Sequence, residues 1–185
     1  MIRSTRSDAI IFVVTAVITV CFDLIEAVQI GILVAGFLSL RQVAKRASVT
    51  REELPGEPEP GDDRIALLRL DGAMFFGASE RISTAIHSDA GHPQVRVVVI
   101  RMSHLGMLDA TGANTLAEIV TDLERRGITV IIKGVQDSHY RLLVGMGVMK
   151  SLRHENHLVD TLAEAVAHAR EHVRAELDNY GQIPG

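Results

Sequence analysis

Two kinds of hydrophobic pattern divide the chain. Between residues 9 and 40 apolar positions are almost continuous: AIIFVVTAVITVCF (9–22) is followed by LIEAVQIGILVAGFLSL (24–40), and only Asp23 and Glu26 are charged in 32 residues. From residue 64 onward, apolar residues come in short runs or at helical spacing, with polar residues between them. Such a change of pattern separates a hydrophobic helical module from a domain with an aqueous surface.

The second module reads as alternating strands and helices. IALLRL (65–70) is a strand, Asp71 and Gly72 make a turn, and AMFF (73–76) continues the sheet. Ser79 is placed to cap a short helix over about 79–88, with Ile82 and Ile86 on one face, and Gly91-His92-Pro93 ends it. VRVVVI (95–100) is a β-branched run, the mark of a strand covered on both faces. After a loop, Asp109 starts a helix reaching about Arg126, with Leu116, Ile119, Val120 and Leu123 on one stripe and Gly127 beyond its end. ITVIIK (128–133) is another buried strand, so 95–133 reads as a βαβ unit with parallel strands and a right-handed crossover. A helix near 137–146, a short segment through 157–159 and an amphipathic helix over about 160–178 follow, the last with Leu162, Ala165, Val166, Ala169 and Val173 inward. The expected fold class is α/β, with a mixed, mostly parallel sheet and helices on one or both faces.

The segment TREELPGEPEPGDD (50–63) holds three prolines, two glycines and six acids against one arginine. It reads as an acidic Pro/Gly linker, a solvated tether spanning roughly 20 Å. The expected organisation is a hydrophobic helix pair over 1–49, the linker over 50–63, the α/β domain over 64–178 and a tail over 179–185.

A bilayer core of ~30 Å takes ~20 helical residues to cross. Neither apolar run reaches that length comfortably, and the pair is too long for one perpendicular span. One reading is a single tilted helix that buries Asp23 and Glu26 at its middle, which is costly. The favoured reading is a transmembrane helical hairpin with both acids in its turn. Arg3 and Arg6 before it, and Arg41, Lys45, Arg46 and Arg51 after it, then lie on one side, the cytoplasmic one. A secretory signal is disfavoured by the doubled length and the central acids. Gly31, Ala35 and Gly36 suit close approach of another helix. With Asp23, the polar residues Glu26 and Gln29 could line a path through the membrane, although placement in the turn or at an interface is favoured.

Charge sharpens the division. The net charge of −4 hides five basic and three acidic residues in 1–50, against fourteen and twenty in 51–185. No basic face suggests nucleic acid. A single cysteine, Cys21, excludes a disulfide framework. The densest local motif is Asp109-Ala110-Thr111-Gly112 after the buried strand: Asp109 is a good N-cap, and Thr111 in the first helical turn is placed for phosphorylation. His168 and His172 stand four apart but without HExxH, and His154 and His157 flank Glu155 and Asn156 in a segment read as a solvated loop. No metal site is expected from them. GxSxG, GxxxxGK[ST] and a strand-following GxGxxG are absent, so neither a catalytic set nor a cofactor is expected, and the protein does not read as an enzyme.

DATG at 109–112, after VVVIRMSHLGML and before ANTLAEIVTDLERRGITVIIKGV and RLLVGMGV, resembles the STAS domain shared by sulfate transporters and anti-sigma-factor antagonists. DGAMFFGASERI (71–82) and HLVDTLAEAVAHA (157–169) resemble the form found in SulP-type anion transporters, and residues 7–44 look like the last two membrane helices of such a transporter. The resemblance implies a STAS domain on the cytoplasmic side of the cell membrane, attached to a multi-pass, dimeric secondary transporter of sulfate, bicarbonate or related anions. In the antagonists the hydroxyl two residues after the Asp is phosphorylated, and Thr111 holds that position. Ala110 stands where antagonists usually carry Ser, as in transporter versions. The family's anion site lies among earlier helices, which this sequence does not contain, so the chain alone is not expected to transport. It is expected to be a fragment, a split-gene product or a stand-alone tethered protein. Its implied partners are the rest of a transporter or another permease chain, a second copy through the STAS domain or last helix, and, in the antagonist-like alternative, a kinase-like regulator.

Overall fold

Proline is absent from both apolar runs, and both fold as helices: α1 (Arg6–Cys21) and α2 (Leu24–Lys45). The computed structural model describes residues 6–21, 24–45, 47–154 and 157–181. The chain divides into two units, Met1–Val43 and Ala44–Gly185.

In the first unit, Ile10, Ile11, Val14 and Thr15 of α1 and Ile30, Gly31, Val34 and Leu38 of α2 line a common groove. The two helices thus lie against each other along their middle turns. Much of the remaining surface is apolar, and Phe12 and Leu33 are 76% and 72% exposed. At ~1.5 Å per residue the sixteen residues of α1 rise about 24 Å. Among the described residues no helix is long and apolar enough to cross a membrane. The transmembrane part of the expected hairpin is therefore not shown.

The second unit is built on a six-stranded sheet. Its strands are β1 (Ser48–Glu52), β2 (Ile65–Met74), β3 (Val97–Arg101), β4 (Leu105–Leu108), β5 (Thr129–Lys133) and β6 (Leu158–Val159). The order is β1-β2-β3-β5-β6, with β4 paired to the far end of β2; β1 is antiparallel and every other pairing is parallel. The helices are α3 (Phe76–Ala90), α4 (Ala110–Arg125), α5 (Asp137–Gly145), the short α6 (Val148–Ser151) and α7 (Leu162–Gly181). The mixed, mostly parallel sheet is the one expected.

Strand alternation sends two apolar sets to opposite faces. Ala66, Leu68, Leu70, Val98, Ile100, Val130 and Ile132 join Ile82 and Ile86 of α3, Leu116, Ile119, Val120 and Leu123 of α4, and Leu143 of α5. On the other face Ile65, Leu67, Val97, Val99 and Ile131 meet, among the described residues of this unit, one helix, α7, through Ala165, Ala169 and Val173.

Several expectations are corrected at the edges. The acidic segment is not a solvated tether. Its first residues lie in β1, whose Ser48–Glu52 run opposite Asp71 to Leu67 of β2, and Leu54 packs against the α7-side core. The segment's acids find cations more than a hundred residues away. Arg170 of α7 donates Nε and Nη2 to the two carboxylate oxygens of Asp62, at 2.9 and 2.7 Å, and Nη1 to Glu59 at 2.6 Å. Arg174 also pairs with Glu59. Gly61 lies against α7 at φ +96°, where a Cβ would come within 2.7 Å of a methyl of Val173. The expected turn at Asp71 and Gly72 is continuous strand with a register shift, because β4 supplies backbone partners there. α3 begins three residues before Ser79, whose Oγ instead donates to the Phe75 carbonyl within its first turn. The last helix runs to Gly181, into the expected tail.

Hydrogen bonds from the Arg170 guanidinium hold the Asp62 carboxyl below the usual carboxylate range, against an opposing effect of burial. A depressed carboxyl stabilises the fold above its unfolded value of ~3.9 and loses that contribution as pH falls through the folded value. Arg170→Met should therefore lower stability by about 1 kcal/mol at pH 7, given partial solvent screening. In urea titrations the gap from the unsubstituted protein should narrow below about pH 4. Hydrogen exchange should show faster exchange over 54–64 in the variant.

Candidate functional site

The end of β3, the turn after it and β4 lead straight into α4, so the first turn of this helix is aimed by the sheet. Asp109 is its N-cap: Oδ1 accepts the Gly112 N–H at 2.7 Å, and its carbonyl accepts the Ala113 N–H at 2.9 Å. The Asp109 N–H in turn donates to the Met74 carbonyl at 3.3 Å, tying the cap to the end of β2. Gly112 is buried in that contact. A Cβ there would lie 2.2 Å from the Met74 carbonyl oxygen and 2.8 Å from its carbon, both backbone atoms that cannot rotate away. Glycine here is a condition of seating α4 on β2.

Around this anchor the surface is open. Ala110, Thr111 and Asn114 are exposed, and Met107 of β4 is 57% exposed. Asn114 donates to Glu118 one turn on, at 2.8 Å. The structure thus brings Asp109, Thr111 and Gly112 together with distinct positions: carboxylate engaged, hydroxyl-bearing residue outward, glycine buried. A phosphoryl group on Thr111 would add negative charge to an exposed helix start, beside a carboxylate already used as a cap. Such a group would change the charge of this surface without rebuilding the core.

The other sequence-selected polar residues lie in the first unit. Asp23 is outside the described residues. Glu26 is in the first turn of α2 and exposed, as is Gln29. Neither lines the groove between α1 and α2, whose only polar side chain among its lining residues is Thr15. The described residues form no polar path through the helix pair.

The sequence reading missed a third feature. His157, expected in a solvated loop, is fully buried. Its Nε2 lies 3.1 Å from Nε2 of His172. The rings of His157, His168 and His172 are 4.9–5.3 Å apart, centroid to centroid, with planes 70–87° apart. One donor atom from each falls within 4.8 Å of the others, which among the described residues makes these the ones able to hold a metal ion. His154 lies edge-on to His157 at 5.2 Å. Burial first, then the neighbouring His172, His168 and His154, pushes the His157 imidazole down to about 4, and burial likewise lowers His172. The i,i+4 spacing of His168 and His172 was visible in the sequence; that α7 would lay it over His157 was not.

Two measurements follow. Gly112→Ala should cost about 1–3 kcal/mol in chemical denaturation, because backbone must shift to admit the methyl group. For His157 the folded state holds the imidazole neutral while the unfolded chain protonates near its ordinary value, so its stabilising contribution is complete above about pH 6.5 and declines toward about pH 4. Urea midpoints recorded with a chelator present should fall across that window, and His157→Gln should flatten the fall.

The STAS domain family model matches residues 59–165. YvdB of Bacillus subtilis is 22% identical over 153 residues, covering 82% of this chain and 29% of that protein. The bicarbonate transporter BicA of Synechocystis is 25% identical over 174 residues, covering 87% and 30%. The chain thus spans under a third of the length of these relatives. Among solved structures, SLC26A9 superposes with a TM-score of 0.72 at 18% identity, over 97% of this chain and 32% of that one. The STAS domain of a SulP transporter from Vibrio cholerae superposes at 0.52 with 25% identity, over 65% and 88%. The fold is also that of the anti-sigma factor antagonist SpoIIAA in its unphosphorylated form, with a TM-score of 0.51 at 17% identity over 67% and 97%.

Proposed function

Because this chain belongs to the STAS domain family, we propose that it acts as the C-terminal regulatory region of a SulP-type inorganic anion transporter. The extent of the match carries this reading. The second unit, 44–185, makes up roughly three quarters of the chain, so an alignment with BicA covering 87% of it runs well into the N-terminal helices. The similarity thus extends past the α/β domain into the residues that precede it.

The surface of the helix pair agrees with such a setting. Phe12, Ile32, Leu33 and Phe37 are each at least two-thirds exposed, a surface that water does not favour and other helices would cover. At Gly31 and Gly36 a Cβ would meet nothing within 4 Å, so both leave room for a neighbour's backbone. In this reading the pair packs among the helices of a permease in the cell membrane, with the STAS domain on the cytoplasmic side. The domain pairs with a second copy and regulates without catalysing a reaction or using a cofactor. Two helices cannot build the paired repeats that enclose a transporter's substrate site, so the chain moves no anion by itself.

Membrane fractionation of the full chain, followed by crosslinking and mass spectrometry, tests the reading. Recovery with membranes and crosslinks from residues 9–40 to a polytopic permease are expected. Recovery in the aqueous fraction without such a partner rejects it.

One observation favours a second reading. Thr111 is exposed at the first turn of α4, where a kinase could reach it. The chain would then be a tethered regulator of the anti-sigma-factor-antagonist type, switched by phosphorylation at Thr111 through a kinase-like partner. Thr111→Asp should weaken binding to that partner; unchanged affinity for every partner recovered rejects this alternative.

A further inference from the structure

We propose that His157, His168 and His172 form a zinc site that fastens α7 to the edge of the sheet. The three come from two places in the chain. His168 and His172 are successive turns of α7, on one side of that helix, and His157 immediately precedes β6, the strand that pairs with β5. The fold closes them into a cluster in which one ring nitrogen of each lies within 4.8 Å of the others.

The local bonding favours an ion over a closed set of hydrogen bonds. His157 and His172 face each other through Nε2 at 3.1 Å. Zn–N bonds of ~2.0–2.1 Å at a tetrahedral angle place two ligand nitrogens about 3.3 Å apart. A hydrogen bond between these two nitrogens would satisfy that pair and no more. Nε2 of His168 is buried with no hydrogen-bond partner. A cation among the three rings gives every one of them a partner, and the near-perpendicular ring planes let each nitrogen turn inward without stacking.

The donor set also selects the metal. Three imidazoles, with no carboxylate among the converging donors of the described residues, suit Zn²⁺ and its borderline neighbours and do not suit Mg²⁺ or Ca²⁺. Three protein nitrogens leave a fourth tetrahedral position for water or for His154, which stands against His157 at the exposed rim. Glu171 lies outside the ring of donors, its Oε2 3.7 Å from Nδ1 of His168. A short approach would let it accept the proton of that nitrogen and present Nε2 to the metal, the usual outer partner of a metal-bound histidine. The role follows from position: among the described residues of the second unit α7 is the helix that covers this face of the sheet, and the ion would hold it to the β6 edge. This inference does not depend on the transporter reading.

The test uses the untagged full chain, stripped with a chelator and titrated with Zn²⁺ against a chromophoric competitor. About one equivalent should bind with a dissociation constant in the micromolar range or tighter, and Tm should rise by several degrees. The double substitution His168→Gln and His172→Gln, both at incompletely buried positions, should weaken binding at least about 100-fold, while His104→Gln in the turn after β3 should bind like the unsubstituted chain. Co²⁺ in place of Zn²⁺ should give the strong visible absorption of a tetrahedral site in the unsubstituted protein, a readout that does not require any variant to fold. Absence of stoichiometric Zn²⁺ uptake, or equal affinity in the double variant, overturns the proposal.

Discussion

The central strands β2, β3 and β5 are apolar on both faces, and the rest of the second unit answers that constraint. A sheet with one wet face needs one layer of helices; this one needs two. The covers are unequal. α3 to α6 all serve the larger cluster, while α7 alone serves the smaller one. A single helix laid across a sheet is held by a narrow stripe, here the small side chains of Ala165 and Ala169 with Val173. The arginine–carboxylate contacts at Glu59 and Asp62, and the gathering of His168 and His172 over His157, supplement that stripe at separate points along the helix.

The same division sorts the functional features. The exposed turn of α4 belongs to the many-helix face, and the histidines belong to the α7 face. The sheet stands between them. The exposed surface of Met107, Ala110 and Thr111 therefore rests on the close approach of Gly112 to the Met74 backbone, on the opposite side of the sheet from α7. The β1 strand contributes differently, by capping the open edge of β2 with an antiparallel ladder and a charged cluster in which Glu52 accepts from both Arg69 and Arg101.

Where local composition and tertiary fate agree, the sequence was legible. The β-branched run at 95–100, the stripe of α4 and the Asp109 cap are decided by neighbours a few residues away, and each is found close to its expected place. The segment at 50–63 misled because its prolines and acids describe an unpaired chain well, and nothing local reveals that Arg170 and Arg174 will neutralise it. β4 escaped notice for a related reason. LGML has no alternation, and it becomes a strand because β2 overruns β3 and offers it a ladder. The histidines failed in the same way: each pair looks ordinary in sequence, and the cluster exists only when α7 crosses the sheet beside β6. Asp109, Thr111 and Gly112 were recoverable as a unit because a helix start is a local event; the surface they create depends on β2, which is not.

The lone cover has a consequence for synthesis. α7 leaves the ribosome after every other described element of the second unit, its first residue roughly thirty residues behind the end of β5. At ~5–20 residues per second, the nascent domain passes some seconds with Ile65, Leu67, Val97, Val99 and Ile131 bare to water on one side. That strip is a chaperone's target and a collision hazard for neighbouring chains on the same message. A stop codon or a protease cut before residue 162 would leave the exposure permanent, so truncated products of this chain are destined for aggregation or degradation.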